Sequence, residues 1–214
     1  MISNHNRCSG KRLRQLQWLR YPSFMAKNDA RRSALADAGI AVLARDGSRG
    51  LTHRAIDDEA GVPTGTTSNY FRSRDALVAG LFERIGERLA PTEADLARRA
   101  AQPRGRALFA DYVRDIVRRL STESDVTRAL FELRLDSSRR PDLAAVLTPW
   151  LRAGFDSDVA FNESMGLPGG RKEIAVFHYA IDGLLFDQLT TPIDPDVAID
   201  DVIDTLVAGL LPEG

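Results

Sequence analysis

Two short helical patterns, separated by a turn at Gly61, place the strongest constraint on how this chain folds. Thr52 is a suitable N-cap for the first pattern, over residues 53–60. Pro63 fits the first turn of the second pattern, over residues 64–71, because the N–H that proline lacks would have no helical partner there. Two short helices joined by a tight glycine turn predict a helix-turn-helix, in which the second helix enters the major groove of DNA.

The second pattern is unusually polar for a helix, and its spacing separates two faces. Thr67 and Phe71 stand four residues apart and are predicted to point inward, whereas Thr66 and Tyr70 are predicted to share the outer face. Short hydroxyl and amide side chains suit a surface that meets phosphate oxygens or base edges. An ordinary surface turn rich in serine and threonine is the alternative. The other predicted outer residues are Thr64, Ser68 and Asn69.

The charge of the chain is unevenly distributed. Residues 1–75 contain 13 Lys and Arg against 7 Asp and Glu, whereas residues 76–214 contain 16 against 23. A segment that binds a polyanion is therefore expected in the first third of the chain.

Helical periodicity continues through the rest of the sequence, and no stretch alternates convincingly with the period of a β-strand. We therefore predict an all-α protein with an N-terminal three-helix helix-turn-helix domain and a larger helical domain. Ser73 is the predicted cap of a fourth helix that links them. Further helices are predicted near 93–101, 105–121, 124–136, 141–159, 170–190 and 195–211.

Three segments are predicted along the chain. Residues 1–28 are basic and lack sustained apolar periodicity, which is typical of a disordered arm. The natural start could instead be Met25, in which case residues 1–24 do not belong to the protein. Residues 29–75 form the predicted DNA-binding domain, and residues 76–214 form the larger helical domain.

The segment "LTHRAIDDEAGVPTGTTSNYFRSRDAL", residues 51–77, resembles the DNA-binding signature of the TetR family of bacterial transcriptional regulators. The preceding "RRSALADAGIAVLARDG", residues 31–47, resembles the first helix of that family. Where many members have Leu-Tyr in the third helix, this chain has Thr67-Ser68, so one habitual tyrosine contact to the DNA backbone is lost.

The resemblance implies roles for individual residues at the DNA. It implies phosphate contacts from Thr52, Thr66, Tyr70 and Arg74, and base-edge contacts from Arg54, Thr64 and Asn69. Arg54 is the best candidate base reader, because a guanidinium can pair with guanine through two hydrogen bonds. The complete predicted DNA-binding set is Thr52, His53, Arg54, Thr64, Gly65, Thr66, Ser68, Asn69, Tyr70 and Arg74.

The resemblance implies that residues 76–214 are a helical ligand-binding and dimerisation domain. The function expected from it is a homodimeric repressor that binds a palindromic operator and is released by a small-molecule effector. Binding of the effector would tilt the first three helices through the helix that begins at Ser73. Two alternatives remain: a ligand-independent regulator or activator of the same fold, and a helical small-molecule-binding protein that does not bind DNA.

The last two predicted helices are the candidate dimer interface. The helix over 170–190 is apolar on two faces, and such a helix needs two partners. Two helices from each subunit can form a four-helix bundle, and an extended core within one subunit is the alternative. The candidate interface residues are Ile181, Gly183, Leu184, Val202, Ile203, Leu206 and Leu210.

Apolar and aromatic side chains of the same acidic portion are candidates for the wall of an effector pocket. Aromatic residues at helical spacing also fill ordinary cores, and that interpretation stays open. The candidate pocket residues are Phe109, Tyr112, Phe131, Leu135, Trp150, Phe155 and His178.

Other classes of protein find little support. No Gly-x-Ser-x-Gly, His-Glu-x-x-His or Cys-x-x-Cys motif occurs, so we predict neither enzyme activity nor a cofactor. The three histidines are too scattered for a metal site, and the single Cys8 cannot form an internal disulfide. No run of about 18 apolar residues occurs, and the N-terminus lacks the apolar segment of a secretory signal. We therefore expect a cytoplasmic protein without a membrane partner.

Overall fold

A computed structural model describes residues 29–211 of the chain, and every regular element in that range is a helix. The all-α prediction is therefore confirmed for these residues, while the predicted arm over residues 1–28 lies outside them. Among the described residues, no helix is both long and apolar enough to cross a membrane. The described helices are α1 (Asp29–Gly50), α2 (His53–Glu59), α3 (Thr66–Tyr70), α4 (Arg74–Leu89), α5 (Glu93–Ala100), α6 (Arg106–Thr122), α7 (Ser124–Ser137), α8 (Pro141–Met165), α9 (Arg171–Leu189) and α10 (Ile199–Leu210).

Two helices begin at the caps that the sequence predicts. The Thr52 hydroxyl accepts a hydrogen bond of 3.1 Å from the Ala55 N–H at the start of α2. The Ser73 hydroxyl accepts one of 3.1 Å from the Ala76 N–H at the start of α4. These bonds satisfy N–H groups that have no partner within the helix.

The bounds of three helices differ from the prediction. α3 begins at Thr66, two residues later than predicted, because Gly65 adopts a left-handed conformation with φ of +92° and is not helical. α8 continues beyond its predicted end to Met165, where Gly166 at φ of +61° provides a left-handed cap. α10 begins only at Ile199, after a proline-containing loop.

α1 contains a sharp kink near its end. Gly47 has φ of 68° and ψ of −175°, so the regular helix stops close to the glycine where the sequence predicts its end. A Cβ atom at Gly47 would lie 3.3 Å from a carboxylate oxygen of Glu132 on α7. Glycine is therefore favoured there both by its backbone conformation and by the close neighbour.

Two hydrophobic cores organise the chain. The first is shared by α1, α2, α4, α7 and the beginning of α8, and the second by α6, the end of α8, α9 and α10. Because α7 packs directly against α1 of the predicted DNA-binding domain, the first core contains residues from both sides of position 75. Its fully buried large side chains include Leu35, Ile40, Leu43, Ile56, Phe71, Leu77, Leu81, Phe82, Ile85 and Leu133.

Ion pairs add a second connection between these helices. Arg84 on α4 donates two hydrogen bonds, of 2.9 and 2.8 Å, to the two carboxylate oxygens of Asp37 on α1. Arg88 on α4 bonds Asp37 at 3.3 Å and also pairs with Glu123, next to the start of α7. Two-point arginine–carboxylate contacts fix geometry as well as charge. α4 is thus held to α1 and to the start of α7 at once.

A buried ion pair joins α5 to α6. Nη2 of Arg99 lies 2.8 Å from Oδ1 of Asp115, and both side chains are almost fully buried. Arg118 and Arg119 donate further hydrogen bonds of 2.5 and 2.9 Å to the same carboxylate. Burial by itself would raise the pKa of Asp115, but the hydrogen bonds and charges of these arginines outweigh it and hold that pKa below its ordinary value.

Candidate nucleic-acid interface

The outer side of α2 offers an exposed hydroxyl and an exposed guanidinium. Thr52 is exposed at the helix start although its hydroxyl accepts the capping bond, and the Arg54 side chain is 83% exposed. Nε of Arg54 lies 3.9 Å from the exposed Asp58 carboxylate, a weak contact that a stronger partner can replace. Ile56, on the opposite side of the helix, is fully buried.

The turn between α2 and α3 depends on two glycines with left-handed backbone. Gly61 has φ of +61° and Gly65 has φ of +92°. A Cβ atom at Gly65 would meet nothing within 4 Å, so the surface in front of it is open to an approaching molecule. The conformation of the turn, rather than crowding, is therefore what favours glycine at this position.

α3 separates a buried side from a polar outer side, as its spacing predicts. Thr67 and Phe71 are both 0% exposed. The exposed residues of this short segment are Thr64, Ser68 and Asn69. If α3 lay in the major groove, these short polar groups would be on the side that meets DNA.

Thr66 and Tyr70 are half-buried, and neither is enclosed by the protein. The Thr66 hydroxyl donates a 2.5 Å hydrogen bond to the Pro63 carbonyl, and Tyr70 packs partly against the first core. The Ser68 hydroxyl donates to the Gly65 carbonyl at 2.8 Å. Each hydroxyl oxygen can still accept a hydrogen bond, but the hydroxyl must rotate away from its carbonyl before it can donate to a phosphate.

Of the predicted DNA-binding residues His53 and Arg74, the first is half-buried and the second is exposed. His53 is half-buried, and its Nε2 atom is covered by the protein without a hydrogen-bond partner among residues 29–211. That edge of the ring is therefore not open to solvent. Arg74 is exposed at the start of α4, and its Nη1 makes a long 3.4 Å contact with the Leu51 carbonyl.

Sequence reasoning missed the residue that holds α3 in place. Asp57 on α2 is 1% exposed, and its carboxylate accepts hydrogen bonds from the N–H of Gly65 and from both the N–H and the hydroxyl of Thr67. Burial by itself would raise the pKa of Asp57, but the bonds from Thr67 and Gly65 and the nearby His53 hold that pKa below its ordinary value. In the sequence, the sign of this role is that an acidic residue, Asp57, stands directly after Ile56 on the inner side of a short helix.

The predicted pocket residues are spread over both cores. Trp150 stacks on Phe82 in the first core, whereas Phe109 packs on Phe177 in the second, with ring centroids 5.4 and 4.8 Å apart. The remaining contacts pair Tyr112 with Phe161, Phe131 with Phe186, and Phe155 with His178. His178 also bonds Asp158 at 3.0 Å, and Leu135 is 51% exposed at the surface.

The predicted interface residues divide into two groups. Ile181 and Ile203 are buried in the second core of the subunit itself, which leaves little of either side chain at the surface. Gly183 is exposed, and Leu184, Val202, Leu206 and Leu210 are half-buried. Gly183, Leu184, Val202 and Leu206 line an open hollow of about 580 Å³ between α9, the loop at 190–198 and α10.

Large apolar side chains of α9 and the 190–198 loop remain uncovered. Tyr179 is 72% exposed, Phe186 48%, Ile193 92% and Val197 50%. A cluster of this kind on one side of a chain is unusual for a surface that faces only water. Sequence spacing placed Ile181 at the outer surface of α9, where the structure exposes Tyr179 and Phe186 instead.

Comparison with known proteins assigns both portions of the chain. Residues 35–81 match the family model described as bacterial regulatory proteins, tetR family. Residues 104–213 match the model described as tetracyclin repressor-like, C-terminal domain. A comparison with curated protein sequences finds no match.

Solved structures with the same fold cover most of the chain. The multidrug binding protein EbrR complexed with ethidium is 23% identical, with a TM-score of 0.60 over 85% of this chain and 99% of that one. A transcriptional regulator from Rhodococcus sp. Rha1 is 20% identical, with a TM-score of 0.64 over 84% and 95%. A TetR-family member from Streptomyces coelicolor A3 is 23% identical, with a TM-score of 0.63 over 85% and 98%. With the two family models, this shared fold shows that the chain belongs to the TetR family of transcriptional regulators, DNA-binding proteins rather than enzymes.

Proposed function

We propose that this regulator is a cytoplasmic repressor that binds a palindromic operator as a homodimer and releases it when a small molecule binds. One observation carries the proposal: α3 presents Thr64, Ser68 and Asn69 outward while Thr67 and Phe71 are fully buried behind them. A short helix held in this way matches the geometry of a recognition helix in the major groove.

The contacts with DNA follow from what each residue exposes. Arg54 is exposed on α2, the helix that packs against α3, and its guanidinium is free to make a two-point contact with a guanine. Thr64 and Asn69 are the other proposed base readers. Thr52 and Arg74, at the starts of α2 and α4, are placed to contact phosphates, and Thr66 and Tyr70 complete the phosphate set.

The uncovered surface of α9, the 190–198 loop and α10 supports a second copy of the chain as partner. Tyr179 and Phe186 on α9 are the largest exposed aromatic side chains there, and Gly183 between them permits close approach. A two-fold dimer places two copies of α3 in successive major grooves, which is why a palindromic operator is expected.

A small-molecule effector is supported by the aromatic content of the second core and by the shared fold with EbrR, which was solved with ethidium. Its effect would reach the DNA through α4 and α7, because both helices pack against α1. A ligand-independent regulator is the second candidate. The close aromatic pairs of the second core, such as Phe109 with Phe177, favour it, because they already fill the space between their helices.

Selection of bound sequences from random DNA, followed by fluorescence anisotropy on the selected and scrambled duplexes, tests DNA recognition directly. We expect a palindromic site whose affinity exceeds that of scrambled DNA by about a thousandfold or more at one fixed salt concentration. Equal affinity for both duplexes would contradict the proposal. A thermal-shift screen for small molecules, repeated with the operator present, then separates the two candidates, because only an effector-controlled repressor loses DNA on ligand binding.

A further inference from the structure

α3 is too short to be stable by its own hydrogen bonds. It contains five residues, Thr66–Tyr70, and its N-cap is Gly65, which has no side chain to accept from the first N–H groups. Isolated helices shorter than about 12 residues are marginal in water. The orientation of this helix must therefore come from contacts with the rest of the domain.

Asp57 provides the polar part of these contacts. Its Oδ2 accepts from the Gly65 N–H at 2.7 Å, and its Oδ1 accepts from the Thr67 N–H at 2.7 Å and the Thr67 hydroxyl at 2.5 Å. We call these three hydrogen bonds the Asp57 clamp. Asp57 is 1% exposed and Thr67 is 0% exposed, so water does not compete for the bonds. A carboxylate at a helix N-terminus is also favoured by the helix dipole.

The clamp fixes how α3 is rotated about its own axis. Its acceptor belongs to α2, and its donors lie at the N-cap and the second residue of α3. Side-chain ends lie about 5–6 Å from a helix axis, so a rotation of about 20° moves them by about 2 Å. Such a displacement exceeds what a hydrogen bond to a base edge tolerates. Contacts with phosphates tolerate such a displacement better, because they depend on charge and carry no sequence information.

We infer that Asp57 is a positioning residue for DNA recognition. Through Thr67 it sets the rotation of α3, and it therefore governs discrimination between DNA sequences more than affinity for DNA in general. The inference rests on the proposed function. Asp57 itself is buried behind α3 and touches no DNA in this arrangement.

A matched pair of substitutions at Thr67 tests the inference without a change of charge. Thr67→Val keeps the shape of the side chain but removes the hydroxyl donor, whereas Thr67→Ser keeps the donor. We expect Thr67→Val to lower operator affinity by about tenfold or more, and Thr67→Ser to stay within about threefold of the wild type. Affinity for scrambled DNA is expected to remain within about twofold in both variants.

Asp57→Asn removes the charge and presents an amide NH₂ to at least one of the three donors. We expect the same loss of operator preference as in Thr67→Val, and no additional loss when both changes are combined, because both act on one set of bonds. Asp75→Asn is the charge-matched control, since Asp75 is exposed at the start of α4. It should keep the operator preference. Equal operator preference in Thr67→Val and Thr67→Ser would overturn the inference, as would parallel losses on operator and scrambled DNA.

Amide hydrogen exchange in the DNA-free protein measures the stability of the Asp57 clamp independently of DNA binding. We expect the N–H groups of Gly65 and Thr67 to exchange about tenfold faster or more in Asp57→Asn than in the wild type, while buried amides of α1 change little. Unchanged exchange at both positions would overturn the inference even if DNA binding is altered. If the wild type selects no DNA sequence, the proposed function and this inference about discrimination both fail. Faster exchange in Asp57→Asn would then identify the clamp as purely structural, so the two failures remain distinguishable.

Discussion

The uncovered aromatic side chains on α9 allow a quantitative prediction about assembly. Tyr179 is 72% exposed in the single chain. An aromatic side chain can bury about 200 Å², so about 150 Å² of this one is available to a partner. At about 25 cal/mol per Å², covering it is worth up to about 3–4 kcal/mol, and a two-fold interface covers it twice. Part of this gain is offset by ordering and desolvation on association.

Tyr179→Ala is therefore expected to weaken dimerisation by about 2–4 kcal/mol, which raises the dimer Kd by about 30-fold to 1,000-fold. Sedimentation velocity over a wide range of protein concentrations measures this shift. The fold of each subunit should be retained, because the ring makes little contact within its own chain. Thermal unfolding of the dissociated variant checks that point.

Leu135→Ala is the matched control for this experiment. Leu135 is 51% exposed but lies on α7, outside the surface formed by α9, the 190–198 loop and α10. It should leave the dimer Kd within about threefold, because an exposed apolar side chain that meets no partner contributes little. A Tyr179→Ala variant that dimerises like the wild type would refute the assignment of the interface to this surface.

Three further predictions concern packing, recognition and pH. Gly80→Ala should destabilise the chain by about 1–3 kcal/mol, because its Cβ would lie 2.4 Å from the Phe71 ring, whereas Gly154→Ala, with open space around it, should stabilise by about 0.5–1 kcal/mol. Thermal or urea unfolding measures both, and equal shifts would contradict this packing argument. Arg54→Ala should lower operator affinity by about 1–3 kcal/mol without unfolding the chain, and unchanged anisotropy titrations would exclude it as a base reader. Because the pKa of Asp115 is lower in the folded than in the unfolded state, its contribution to stability is full above the ordinary aspartate value of about 4 and is lost as pH falls below it. Urea unfolding between pH 3 and pH 6 should show this loss, and an Asp115→Asn variant should show a smaller slope.

Local sequence features predicted the DNA-binding helices well because their determinants lie within a few residues. The caps Thr52 and Ser73, and the four-residue spacing of Thr67 and Phe71, each act over one helical turn. The Asp57 clamp was not predictable in the same way. Its partners are eight and ten residues away, across a turn whose conformation spacing alone does not define.

The outer surface of α9 shows a second limit of prediction from sequence. Periodicity identifies two apolar stripes on α9, but it does not say which one faces the chain's own core. In the structure Ile181 and Leu185 face inward and Tyr179 and Phe186 face outward. The choice is made by α6, which comes from a distant part of the sequence and packs on the inner stripe of α9.

The path between an effector and the DNA follows from the helices that share the first core. The sequence identified α4 as the connection because it is continuous between the two portions, yet α7 packs along α1 as well, and Ser48 donates a 2.6 Å hydrogen bond to Asp136 there. Arg84 and Asp37 bind α4 to α1 through two hydrogen bonds, so α4 cannot move far without carrying α1 with it. Since packed cores do not deform continuously, we expect α1 to α4 to shift as one rigid unit across α7 and the start of α8. Changes in the α1–α7 contact, rather than in α4 alone, are therefore expected to alter the response to an effector while leaving DNA affinity without the effector largely unchanged.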